Sequence, residues 1–191
     1  MREIVLDTET TGFDPRVDEV VSIAAIRIAG RRILASSAFR ALVRPEGAMR
    51  PDSIKVHRLR QQDVAQAQPM SEVLLLYFIG SRPLVGYWIQ FDVRMLDKYL
   101  LAMIDMRLPS REIDVSRLLR SQIREHAARH ARRFALCRHS ADLKLPTRAQ
   151  HDAFEDALGA AEMYLVLEDM RERSVRLPRQ RSDLPGAFSI A

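Results

Sequence analysis

Asp7 and Glu9 stand two residues apart at the end of a short apolar run, Ile4-Val5-Leu6, and are followed by Thr10-Thr11-Gly12. Such a run reads as a buried strand, and side chains at i and i+2 of a strand point the same way. The two carboxylates therefore converge on one spot. Carboxylates so close raise each other's pKa unless a positive charge sits between them. A divalent cation would serve, and oxygen ligands favour magnesium or manganese over zinc. On these residues alone a second reading stays equally open, in which the two acids decorate a turn begun by Thr11-Gly12.

Two more acidic sites lie further along the chain. Asp92, in Gly86-Tyr87-Trp88-Ile89-Gln90-Phe91-Asp92, sits at the start of a helix that follows a strand, where an aspartate ordinarily caps the helix or meets its dipole. In His151-Asp152-Ala153-Phe154-Glu155-Asp156, the spacing of Asp152 and Glu155 is that of a capping box and marks the start of the last helix. Residues five apart on one continuous helix are turned by roughly 140°, so His151 and Asp156 could not share a face there. If Asp152 is the cap, His151 lies just outside the helix and can bend back over Asp156.

The elements that must position these groups follow from the pattern. Glu19–Ala29 and Arg32–Val43 are rich in β-formers and flank Gly30-Arg31, which predicts an antiparallel hairpin directly after the first strand. A short helix capped by Ser53 is expected next, then a helix from Ser71 to a glycine stop at Gly80. Pro83–Gly86 reads as a short strand, and Phe91–Met103 as a helix with Val93, Leu96 and Leu100 on or near one face. Glu112–Val115 reads as another strand, Ser116 as the cap of a long basic helix running towards Arg138, and Asp152–Arg173 as the final helix. Three strands in a meander followed by strand–helix alternation make an α/β fold on one mixed five-stranded sheet. Residues 1–175 are expected to form a single domain, and 176–191, with Pro178, Pro185 and Gly186, a disordered basic tail.

The totals narrow the class. A chain of 191 residues with 47% apolar content suits one domain with a full core. No run approaches the ~20 apolar residues of a membrane span, and Met1 leads straight into the first strand rather than a signal peptide. The lone Cys137 cannot form an internal disulfide; it reads as a passive thiol in a cytoplasmic protein. The net charge of +5 and pI near 9.9 suit a polyanionic partner, although surplus charge also aids solubility generically. Arg117, Arg120 and Arg124 fall on one helical stripe, with Arg129, Arg132 and Arg133 beyond; they form either a track for phosphates or a solvated face. His126, His130 and His139 read as surface residues.

Taken together and in order, the motifs resemble those of the DEDDh 3′–5′ exonucleases. That family includes the proofreading subunits of bacterial replicative polymerases, oligoribonucleases and small stand-alone nucleases. Asp7-Thr8-Glu9-Thr10-Thr11-Gly12 is similar to its first motif, Phe91-Asp92 with Leu96 to its second, and His151 with Asp156 to its third. The similarity runs from about Ile4 to Leu167, with Ile23-Ala24-Ala25, Pro45 and Ile113-Asp114 between. It implies a ribonuclease-H-like fold and hydrolysis of nucleotides from the 3′ end of DNA, single-stranded DNA being the expected substrate, in proofreading or repair.

Carried over by position, Asp7, Glu9, Asp92 and Asp156 would hold two divalent ions, Mg2+ or Mn2+, and His151 would activate water. The family pattern has Asp7 bridging both ions, Glu9 and Asp156 on the first, and Asp92 reaching its site through water. Thr10, Thr11, Gly12, His57, Tyr87 and Trp88 fall at substrate-binding positions. Implied partners are a nucleic acid with a free 3′ end and a DNA polymerase or other replication or repair protein. Two departures stand out. Tyr87-Trp88 replaces the His-Asn of many relatives, and these aromatics either stack on a base or fill space beside the sheet. Arg58-Leu59-Arg60 follows His57 where Gly-Ile-Thr is usual. A short-RNA exonuclease, or a non-catalytic polymerase-associated nucleic-acid-binding module, is the competing reading.

Overall fold

The computed structural model describes residues 2–70, 75–122, 140, 143–146, 148 and 151–176. The expected cap Ser71, the basic helix beyond Gln122 with its further arginines and histidines, Cys137 and the tail from Leu177 lie outside those residues.

The near-continuous apolar runs around Ile4–Leu6 and Ile23–Ile26 dictate a sheet covered on both sides. The strands β1 (Arg2–Thr10), β2 (Val20–Ala29), β3 (Arg32–Leu42), β4 (Leu84–Gly86) and β5 (Glu112–Asp114) form one sheet in the order β3-β2-β1-β4-β5. β1 is antiparallel to β2 and parallel to β4, and β4 is parallel to β5, so the sheet is mixed as expected. The hairpin turns at Gly30-Arg31, where Gly30 takes φ +62°, a region open to glycine at little cost.

On one face Ile4 and Leu6 of β1 pack with Ile23 and Ala25 of β2 against α3 (Leu75–Ile79) and α4 (Ile89–Ile104). These two follow α1 (Pro51–His57) and α2 (Gln61–Val64) in the chain. On the other face Val5, Ala24, Ile26 and Ile28 pack with α5 (Val115–Gln122) and α6 (Ala153–Glu172). The small residues Ala157, Gly159, Ala160 and Ala161 are all buried, which lets α6 lie close to the strands.

Two expected caps are corrected. Ser53 lies inside α1, whose N-cap is Arg50 with Pro51 at the first turn; the Ser53 hydroxyl donates to the Arg50 carbonyl. A proline preset for the first turn explains the earlier start. Ser116 likewise lies inside α5, and Asp114 supplies the cap by accepting from the Ser116 N–H at 2.9 Å and its hydroxyl at 2.7 Å. Asp152 does cap α6, accepting from the N–H groups of Phe154 and Glu155.

Gly86 ends β4 where the chain must clear β1. A Cβ there would stand 2.8 Å from the Leu6 carbonyl oxygen and 2.9 Å from Ile89 Cδ1. Gly86→Ala is therefore expected to cost about 1–3 kcal/mol, the scale of overpacking. Urea unfolding of the variant checks it; an unchanged midpoint would contradict the close approach.

Candidate active site

Strand parity decides which acids meet. Val5, Asp7 and Glu9 share the face of β1 that looks at α6, whereas Ile4, Leu6 and Thr8 share the face that looks at α4. The pairing of β1 with β4 ends at Val5↔Val85, so β1 runs on past β4, which turns at Gly86 towards α4. Asp7 and Glu9 thus lie beyond the carboxyl end of β4, the kind of crevice where open α/β sheets bind ligands.

Asp156, in the first turn of α6, completes the group on that face. Asp7, Glu9 and Asp156 each offer an oxygen within 4.8 Å of the others. Asp92 arrives from the opposite layer, in the first turn of α4. It is not the N-cap, a place Trp88 takes. Its Oδ1 accepts from the Thr8 N–H at 3.0 Å and the Thr8 hydroxyl at 2.6 Å. Thr8 therefore holds Asp92 beside the cluster, with its carboxylate outside the set of three mutually adjacent oxygens. Neither Thr8 nor its partnership was evident beforehand, although the parity of β1 already assigns Thr8 to the face of α4.

The cluster is electrostatically frustrated without a cation. Burial raises Asp7 well above the usual aspartate range, and Asp92, Glu9 and Asp156 add to the effect. Burial, then Asp156 and Asp92, push Glu9 up to about 8. Burial also pushes Asp92 up to about 7 against the hydrogen bonds from Thr8, and Asp156 up to about 6 against the bond from the His151 N–H. Buried carboxylates raised by one another are a donor set that fits a hard divalent cation.

Raised carboxylate pKa values mean that the folded chain binds more protons than the unfolded one, so this stability is present at low pH and lost as pH rises. In chelator, the melting temperature is expected to fall as pH rises from about 4 through the values of about 6, 7 and 8. Added Mn2+ should offset the fall. Thermal unfolding from pH 5 to 8 checks it; a rise in chelator would contradict the frustration described.

His151 sits just before the Asp152 cap at φ +62°, and its N–H donates to Asp156 Oδ2 at 3.1 Å. This is the turn back over Asp156 that the cap position implies. Burial, then the positive charge of Arg58, lower the His151 pKa below the usual histidine value. His57 is buried at the end of α1; its Nδ1 accepts from the Leu59 N–H, while its Nε2 faces the Thr10 backbone without a partner at hydrogen-bonding geometry. Arg58, exposed at φ +62°, is a site residue that no motif marks, and its charge reaches His151.

The Thr10 and Thr11 side chains are used inside the loop. The Thr10 hydroxyl donates to the Gly12 carbonyl at 2.6 Å, and Thr11 Oγ1 accepts from the Glu19 N–H at 2.9 Å. A Cβ on Gly12 would meet the buried Asp18 carboxyl group at 2.5 Å. Tyr87 packs against the core on the α6 side. Trp88 begins α4 at φ +66°, a conformation that costs a bulky residue about 1–3 kcal/mol. Its N–H approaches Asp114 Oδ1 at 3.4 Å, and the Arg120 guanidinium lies 5.9 Å from its ring centre.

An exonuclease family model of the RNase_T type matches residues 4–164. The chain belongs to that exonuclease family. The matched span contains every carboxylate of the cluster, Asp92 and His151. The chain is 27% identical over 172 residues to DNA polymerase III PolC-type of Thermotoga maritima, covering 89% of the chain but only 12% of that protein. It is 33% identical over 167 residues to a DNA polymerase III subunit epsilon-like protein of Rhodobacter capsulatus, covering 86% of the chain and 23% of the relative. With DNA polymerase III subunit epsilon of Aquifex aeolicus it shares 27% identity over 171 residues, 87% of the chain and 81% of the relative.

Among solved structures, exonuclease X in complex with 5′ overhanging duplex DNA superposes with a TM-score of 0.67 at 20% identity, over 95% of this chain and 98% of that one. A structure of exonuclease I gives 0.73 at 15% identity, over 90% of this chain and 42% of that one. At such identities it is the fold that is shared, and it is the ribonuclease-H-like fold expected. No helix among the described residues is long and apolar enough to cross a membrane.

Proposed function

We propose that this exonuclease removes nucleotides from the 3′ end of single-stranded DNA with the help of two divalent ions, Mg2+ or Mn2+. The observation that carries the reading is the meeting of Asp7, Glu9 and Asp156 beside a Thr8-held Asp92, with His151 folded over Asp156. These four carboxylates would hold the ions, and their formal charge balances two 2+ ions. When bound, such ions stabilise the attacking and leaving oxygens of an in-line phosphodiester displacement.

The chain's own residues supply the rest. His151, depressed by burial and Arg58, is neutral near pH 7 and takes the proton from the attacking water. Arg58 offers positive charge to a phosphate beside the histidine. His57 stands beside Thr10 at the position where the resemblance expects substrate contacts, and Trp88 offers a stacking surface that tolerates any base. DNA is favoured over RNA by the naming of the relatives as DNA polymerase III components and by the DNA in the exonuclease X complex. The same relatives favour a polymerase or another replication or repair protein as partner, with the cytoplasm as the place of action.

Timed digestion of 3′- and 5′-labelled oligodeoxynucleotides, beside matched oligoribonucleotides, tests the proposal. The 5′-labelled DNA should shorten stepwise with Mg2+ or Mn2+ and persist in chelator. Faster loss of the RNA would favour the short-RNA reading, and no cleavage of either would favour the binding module.

A further inference from the structure

Arg148 precedes His151 by three residues, and its guanidinium is anchored by two glutamates. Its Nε donates to Glu162 Oε2 at 3.1 Å, its Nη2 donates to Glu162 Oε1, and its Nη1 donates to Glu155 Oε2 at 3.1 Å. The three side chains are only 20–32% exposed. A planar guanidinium matched two-to-two with a carboxylate fixes direction as well as distance. Both glutamates belong to α6, the helix that carries Asp156. Glu155 is thereby drawn into the clamp although its spacing from Asp152 suited a capping box.

Three residues span at most about 10 Å, so a clamp at Arg148 confines His151 to the neighbourhood of the α6 start. The second restraint on His151 is the bond from its own N–H to Asp156. The histidine is thus tied to one helix from both sides: upstream by a side-chain fork, downstream by its own backbone. We propose that Arg148 is the positioning residue of His151, fixing through Glu155 and Glu162 the segment that carries the imidazole at the start of α6. The inference rests on the reading of His151 as the proton acceptor.

The test compares Arg148→Ala and Arg148→Lys, each in the wild-type and His151→Ala backgrounds, with kcat for single-stranded DNA, Mn2+ affinity by calorimetry and the His151 imidazole NMR signal as readouts. The signal is assigned by its loss in His151→Ala, from a total of five histidines in the chain. Arg148→Ala is expected to lower kcat by about 10–100-fold, the range for residues that orient an acting group. Mn2+ affinity should stay within about twofold, and the His151 resonance should move. Lysine, which keeps a charge but not the fork, should recover part of the loss. In the His151→Ala background, Arg148→Ala should cost less than about twofold, because a residue acting through His151 has nothing left to position.

An equal loss in both backgrounds with an unmoved resonance would overturn the proposal. Should His151→Ala cleave like wild type while Arg148→Ala still moves the resonance, the proton-acceptor reading fails and the clamp stands. If Arg148→Ala does not fold, Glu162→Gln weakens the same fork and takes its place in the cycle.

Discussion

Asp7→Asn is expected to lower kcat by on the order of 10³-fold or more while making the metal-free protein more stable. The first effect follows from the position of Asp7 at the centre of the cluster, where Asp92, Glu9 and Asp156 all act on it. Loss of one aimed electrostatic group alone costs ~10²–10³-fold, and Asp7 is the carboxylate on which all the other proposed ligands act. The second effect has the opposite sign because burial holds the Asp7 carboxylate against its charge. An amide of the same shape carries no charge and can donate to Glu9 or Asp156. Steady-state cleavage with Mg2+ and thermal unfolding in chelator at pH 8 check the two halves together. Wild-type cleavage, or a destabilised metal-free variant, would contradict the placement of Asp7.

His151→Ala is expected to reduce kcat by roughly 10²–10⁴-fold, the range for loss of a general base, with Mn2+ affinity little changed. Its backbone N–H, which survives the substitution, already supplies the contact to Asp156. The pH dependence has a definite sign. A base must be deprotonated to act, and burial with Arg58 lowers the His151 pKa, so its acidic limb should lie below the usual histidine value of ~6.5. A pH–rate profile at saturating Mn2+ reads this limb, and it should vanish in His151→Ala. A limb that persists there would assign it to the carboxylates instead.

Much of this arrangement is legible in the sequence because it depends on local periodicity. The alternation in β1 separates Val5, Asp7 and Glu9 from Ile4, Leu6 and Thr8, and Gly30-Arg31 fixes the hairpin that places β2 beside them. Asp152 capping α6 follows from short-range spacing, and with it the position of His151 outside the helix. Less legible were features set by competition between neighbours. Pro51 pulled the start of α1 ahead of Ser53, and Asp114 took the cap of α5 from Ser116 because its carboxylate reaches both the Ser116 N–H and hydroxyl. Least legible were long-range partnerships. Thr8 holding Asp92 joins residues 84 positions apart, and Arg148 reaching Glu162 joins residues 14 apart. No pattern within a single element announces either.

The most direct measurement is calorimetric titration of the metal-free protein with Mn2+ at pH 7 in buffers of different ionisation enthalpy, repeated with Asp7→Asn. With Glu9 raised to about 8 and Asp7 held well above the usual range, the metal-free cluster carries protons at that pH, and binding should release them. Binding with proton release in wild type, lost or strongly weakened in Asp7→Asn, is the expected result. Mn2+ binding that is absent, or that proceeds unchanged in Asp7→Asn without proton release, would contradict a cation site built on Asp7, Glu9 and Asp156.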